Sequence, residues 1–176
     1  MNEPELKFGD SGLRWWWIAA LIIVLDQITK AWIVEAIPFQ GSVYVLPVLN
    51  IIHTTNPGAA WSFAADAGGI QRWIFSGLAI VVSAVLIWWL RRLAMSTHTL
   101  LIGGLTLILG GAIGNVIDRL RLGEVVDFVQ VHWGNAYFPA FNVADMAISV
   151  GAGCVILDAI REWQRERKAK APPAAQ

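Results

Sequence analysis

Residues 125–149 read VVDFVQVHWGNAYFPAFNVADMAIS. The stretch holds two carboxylates, Asp127 and Asp145, in otherwise apolar surroundings. Val125-Val126-Asp127-Phe128 is short and β-branched, which predicts an extended segment. Asp145 opens an apolar run, residues 146–160, that belongs to a membrane span expected over 141–163. An acid kept at a membrane boundary is costly and reads as a functional site by default. For Asp145 there is an ordinary alternative, an acid in the first turn of a helix, where the dipole favours it. Asp127 has no comparable explanation. The two are the candidate catalytic pair of a membrane-embedded aspartyl protease.

Composition sets the class in which that pair sits. Of 176 residues, 56% are hydrophobic and only 15% charged, with a mean hydropathy of +0.56. A soluble domain this apolar exposes sticky patches, whereas a multi-span membrane protein exposes them to lipid. The expectation is one polytopic membrane domain over 1–176. Its fold class is an all-α integral membrane protein, with four transmembrane helices, a small extracytoplasmic β element and a short interfacial helix. Cys154 is the single cysteine and has small apolar neighbours, so it reads as packing.

Residues 1–13 are polar and expected to fray. The first span is expected over 15–36, with Trp15, Trp16 and Trp17 suited to an aromatic belt. A cleaved signal peptide fits poorly, because Glu3 and Glu5 weaken the basic start and Ala36-Ile37-Pro38 is no small-residue cleavage site. Asp26 and Lys30 lie four apart in that span and share a helical face. They read either as a structural ion pair or as part of a site; both readings turn them toward protein. Residues 43–55 are β-branched and loosely alternating, which suggests short strands, and Asn56-Pro57-Gly58 is a turn. Residues 63–70 suit a short interfacial helix.

Further spans are expected over 70–90 and 99–118, with loops over 37–69 and 119–140. Ser96-Thr97 offers a cap for the third span. That span is rich in glycine, and Gly110 with Gly114 lets helix backbones approach closely. Asn115 and Arg119 share a face with Gly111 one turn earlier. They read as a grip on a peptide backbone or, for Arg119, as an interfacial anchor. Basic residues set the orientation. Lys7, Arg14, Arg91, Arg92 and five more over 161–170 fall on one side, against Arg72, Arg119 and Arg121 on the other. Both termini are thus expected in the cytoplasm, with both aspartates at the far boundary. There two nearby carboxylates share a proton and titrate as a unit, one activating water and the other protonating a peptide carbonyl.

Five blocks, in order, carry a family resemblance. They are Asp26-Gln27-Ile28-Thr29-Lys30, Asn56-Pro57-Gly58-Ala59-Ala60-Trp61-Ser62, Gly110 through Arg119 (GGAIGNVIDR), Val125-Val126-Asp127-Phe128, and Phe141-Asn142-Val143-Ala144-Asp145. Over residues 12–163 the chain resembles the prolipoprotein signal peptidases, signal peptidase II. The departure is Trp61, where Phe is commoner. The resemblance implies that Asp127 and Asp145 are catalytic, and that Asp26, Lys30, Asn56, Gly58, Gly111, Asn115, Arg119 and Asn142 shape the site or hold substrate. It implies a bacterial inner-membrane enzyme, active at the periplasmic side, that cuts just before a diacylglyceryl-modified cysteine. The partners expected are the lipid-modified precursor and membrane lipids, with no nucleic acid, no cofactor and no metal, and the chain acting as a monomer.

Other classes fit less well. A transporter predicts internal repeats or broken helices, and no internal symmetry is visible. His53, His98 and His132 lack a serine-protease context, and no HExxH motif occurs. A purely structural bundle explains the spans but not the two boundary acids.

Overall fold

The structure, a computed structural model, describes residues 6–58, 70–96 and 98–170. Among these, four helices are long and apolar enough to cross a membrane. They are α1 (Trp16–Ala36), α2 (Ile70–Arg92), α3 (Thr99–Leu122) and α4 (Val143–Lys170). Each has 21 to 28 residues, where about 20 suffice to cross a hydrocarbon core of about 30 Å. The membrane architecture expected from composition is the one observed. Of α3's apolar stretch 61% is buried, against 22% for α1 and α2 and 17% for α4. The third helix is therefore the central post, and the others turn most of their apolar surface to lipid.

Glycine explains how α4 comes so close to that post. A Cβ on Gly104 would sit 2.7 Å from the Gly151 carbonyl oxygen, and one on Gly111 would overlap the carbonyl of Ala144. Small residues at these crossings let backbone pack on backbone, which in a bilayer replaces the hydrophobic drive between helices. At the end of the bundle where the N-terminus meets the turn after α2, Leu86, Leu90, Ile102 and Leu105 form the core. Of residues 1–13, expected to fray, 1–5 lie outside the described residues and 6–13 close this end of the bundle. Two 3₁₀ turns, Phe8–Asp10 and Gly12–Trp15, lie against the turn after α2. Gly12 N–H donates to the Leu93 carbonyl at 2.9 Å, and Met95 N–H donates to the Asp10 carbonyl at 3.0 Å. The N-cap of α3 is His98, without a side-chain cap, in place of the expected serine or threonine. Thr97 lies outside the described residues.

At the other end stands an antiparallel sheet in the order β1 (Ser42–Leu46), β2 (Leu49–Asn56), β3 (Val125–Trp133) and β4 (Ala136–Tyr137). It is larger than the short strands expected over 43–55 and the extended segment at 125–128. β3 is buried throughout Val125–Phe128 and partly exposed beyond. Its start is fixed from two sides. Thr54 of β2 pairs with Asp127, and the register shifts by one residue between Ile51 and Thr54. Such a bulge re-aims side chains and is common beside functional sites. On the other side, Phe141 exchanges backbone hydrogen bonds with Val129 at 2.8 and 3.0 Å. That contact sets Asn142, the next residue, beside Asp127.

Three span ends lie within two residues of the expected bounds, at 16, 92 and 143, and two run well beyond them. α3 continues past 118 to Leu122, so Arg119 sits on the helix rather than in a loop, and Gly123, at φ 92°, closes it in a left-handed cap. α4 continues past 163 to Lys170 as an exposed basic helix. The interfacial helix expected over 63–70 lies outside the described residues except for Ile70, which opens α2. The Ala59-Ala60-Trp61-Ser62 block is outside them as well.

Candidate active site

The N-terminus of α4 is the place where the polar residues converge. Asn142 caps it: its Oδ1 accepts from the Asp145 N–H at 3.0 Å, while Asp145 Oδ2 accepts from the Asn142 N–H at 3.3 Å. This reciprocal pair is a capping box, with Asp145 as the acid at its third helical position. The ordinary explanation for Asp145 therefore holds, and it does not exhaust the residue. Asp145 Oδ1 also accepts from Asn115 Nδ2 on α3, at 2.8 Å.

The other end of the Asn142 amide reaches β3. Its Nδ2 donates to Asp127 Oδ1 at 2.7 Å and lies 3.2 Å from the Val126 carbonyl oxygen and 3.3 Å from Asn115 Oδ1. One fully buried asparagine thus touches both acids, on two different elements. Asp127 is only 2% exposed. Burial pushes its carboxyl up from an ordinary 3.8 to about 6, and the nearby charge of Asp145 adds to the rise. Hydrogen bonds from Asn142 and Asn56 and the positive charge of Lys30 oppose it. The result is a carboxyl that keeps its proton well above the usual range.

Behind the two acids lies a buried ionic cluster. Lys30 Nζ sits 2.8 Å from Asp26 Oδ2, 2.9 Å from Asp118 Oδ2 and 3.1 Å from Asn115 Oδ1. Gln27 Nε2 donates to Asp118 Oδ1 at 2.8 Å and reaches Asp26 Oδ2 at 3.2 Å and the Gly114 carbonyl at 3.3 Å. Asp26 and Lys30, four apart on one helical face, are both buried against protein. Asp118 and Gln27 are the members that residue-by-residue reading passed over. Their partners are ninety or so positions distant, at |i−j| of 91 for this pair, so no local signal marks them.

The remaining candidates take different places. Asn56 ends β2, and its Oδ1 accepts from Gly58 N–H at 2.8 Å, closing an Asx turn. Gly58 has φ 96° and lies against the Phe75 ring, so a side chain there meets both strain and a clash. Gly111 serves the α3–α4 crossing. Arg119 Nη1 reaches the Asn115 carbonyl at 3.4 Å, and its guanidinium lies 5.6 Å from the Phe75 ring. Its Nε is buried without a partner, and Asp145, Asp127 and Asp118 all act on its charge. Arg119 is thus a cation within electrostatic reach of both acids.

A family model described as "Signal peptidase (SPase) II" matches residues 18–161. The chain belongs to the signal peptidase II family. It is a peptidase of the membrane. Among proteins similar to it are the lipoprotein signal peptidases of Shewanella pealeana, 45% identical over 90% of this chain and 93% of that one, and of Pseudoalteromonas translucida, 46% identical over 90% and 96%. Two solved structures, each described as a bacterial membrane enzyme, share its fold. One has a TM-score of 0.73 at 25% identity over 100% of both chains. The second has a TM-score of 0.70 at 30% identity, covering 80% of this chain and 88% of the other.

Proposed function

We propose that the protein is a membrane-embedded aspartic endopeptidase. It removes the signal peptide from diacylglyceryl-modified prolipoproteins, cutting just before the lipidated cysteine. Family membership and the names of its relatives support the substrate class. The observation that carries the catalytic reading is Asn142, which bonds both Asp127 and Asp145 and holds them as one unit.

Within the pair the environments differ. Asp127 is buried and retains a proton at higher pH than a free carboxyl does. Asp145 faces two N–H donors, from Asn115 and from the Asn142 backbone, at the positive end of a helix. Asp145 is therefore the base that takes a proton from water as the water attacks the scissile carbonyl. Asp127 is the acid that protonates that carbonyl oxygen. On collapse, the proton held by Asp145 leaves with the amine of the modified cysteine and Asp127 recovers its own. Arg119 faces the charge that develops nearby, and Asn56 steadies Asp127. The four spans hold this site at the periplasmic boundary with both termini in the cytoplasm, and the monomer meets its precursor in the lipid.

The test is cleavage by the purified protein in lipid micelles of two matched precursor peptides, one with a diacylglyceryl-modified cysteine and one without. Cleavage of the modified peptide alone, just before the cysteine, is expected. Equal cleavage of both refutes the substrate class.

A further inference from the structure

Helix α4 continues where its apolar side ends. Counted from Val143, about 20 residues cross a hydrocarbon core of about 30 Å, and that count ends at Glu162 and Trp163. Residues 164–170 carry the helix about 10 Å further, into the headgroup layer and beyond it. All of 161–170 are exposed. This end of the bundle lies away from the aspartates: Trp163 is about 27 Å along the helix axis from Asp145.

Charge is not spread evenly around the extension. At about 100° per residue, Asp158, Glu162 and Glu166 form a stripe that prolongs the buried side of α4, the side of Ala144, Ala147 and Gly151 that packs on α3. The acids on that stripe take up two of the cations. Arg165 Nη1 lies 3.4 Å from Glu162 Oε2, and Lys170 Nζ lies 3.9 Å from Glu166 Oε2. The opposite side is different. Met146, Val150, Leu157 and Ile160, all exposed, make the stripe that faces lipid. Prolonged by the same rotation, this stripe runs into Gln164, Arg167 and Lys168 without meeting an acid. With Trp163 these three line a shallow groove. Neither Arg167 nor Lys168 has an acidic partner among the described residues. The Arg167 guanidinium lies 4.9 Å from the Trp163 ring centre, and at the end of α2 Arg92 lies 4.4 Å from that of Trp88.

We propose that this end of α4 is a binding site for an anionic glycerophospholipid. Its phosphodiester sits between Arg167 and Lys168, its glycerol lies beside Trp163, and its acyl chains run along Ile160, Leu157 and Val150. Each part of the groove meets the part of the lipid it suits. Indole rings favour the headgroup level, where one edge is apolar and the other wet. Cations next to a span attract anionic headgroups. The uninterrupted apolar stripe below them selects a lipid over a free anion, because a free anion makes no use of it. In the orientation proposed above, the lipid belongs to the cytoplasmic leaflet. The site is separate from that of the precursor and does not depend on the aspartic reading.

The test is a titration of the full-length protein in neutral detergent with phosphatidylglycerol, and separately with phosphatidylcholine of the same chains, with bound lipid counted by native mass spectrometry. Phosphatidylglycerol is expected to bind the more tightly. One cation beside an anionic surface corresponds to about fivefold in affinity, so Arg167→Gln/Lys168→Gln is expected to bind phosphatidylglycerol about 25-fold more weakly. Arg165→Gln/Lys170→Gln removes the same charge from the same helix and is the reference. It is expected to stay within about twofold of the parent, since its two cations are engaged by glutamates in exposed pairs that contribute little. All four residues are exposed and distant from the aspartates, so melting temperature and peptide turnover are expected unchanged in both variants. Equal losses in the two variants overturn the proposal, because they report diffuse charge and no site. Unchanged binding in Arg167→Gln/Lys168→Gln overturns it as well, and so does equal affinity of the parent for the two lipids. Displacement of phosphatidylglycerol by inorganic phosphate at constant ionic strength marks a free-anion site and refutes the lipid assignment.

Discussion

Replacing Asn142 isolates how the pair is tuned. Its Nδ2 gives Asp127 a 2.7 Å hydrogen bond, and its Oδ1 caps α4. Asn142→Ser keeps a capping oxygen but is too short to donate to Asp127; Asn142→Ala loses both. Loss of a cap costs about 1 kcal/mol, so the alanine variant melts lower while the serine variant stays close to the parent. The donated hydrogen bond favours the carboxylate form of Asp127, so losing it raises a group that already titrates at about 6. A hydrogen bond to a charged group contributes about 1.5 kcal/mol at the low end, and 1.36 kcal/mol corresponds to one pKa unit. The sign follows from the required protonation state. Catalysis needs the proton on Asp127, so activity is present below about pH 6 and falls as pH rises through it. Both variants are expected to move that falling limb of kcat/KM up by about one pH unit. The assay is cleavage of a fluorogenic diacylglyceryl peptide from pH 4 to 9. A serine variant whose limb coincides with the parent's refutes the assigned role of Asn142.

Asp118→Asn removes one of the two carboxylates on Lys30 and keeps an oxygen for the Val126 N–H. It is expected to lower stability by about 1–3 kcal/mol and to retain more activity than either aspartate variant, as melting and turnover together will show. For topology, single cysteines at Ser42, Asn135 and Gln164, all exposed, are placed in a chain with Cys154 replaced. An impermeant thiol reagent added to intact cells should label the first two and spare the third; the reverse pattern overturns the orientation.

The spans were legible because the bilayer demands long apolar helices, a signal that local polar residues such as Asp26 and Lys30 do not erase. The sheet was less so. Residues 129–133 alternate weakly, and the pairing that stabilises them comes from β2, some eighty positions earlier, as in Asn50 with Gln130. Asn142-x-x-Asp145 is a capping box visible in the sequence, yet only the family resemblance assigns Asn142 to the site. The motif also accounts for Asp145 in ordinary structural terms, and only the bond to Asp127 reveals the second use of Asn142. Asp118 and Gln27 were unreadable as site members, since each owes its place to a contact between α1 and α3. The N-terminal turns are not legible, because polarity suggests fraying, whereas their backbone groups bond those of the turn after α2.

The most direct measurement of the central claim is turnover by purified, folded Asp127→Asn and Asp145→Asn. An amide is nearly isosteric with the acid, but it neither takes a proton from water nor shares one with its neighbour. Each positioned acid or base contributes about 10²–10⁴-fold, so each variant should lose at least that much at unchanged folded fraction. Groups acting as a unit are not additive, so the double variant should be little slower than either single one. A well-folded Asp127→Asn protein that processes the lipid-modified precursor at the parent rate contradicts the account.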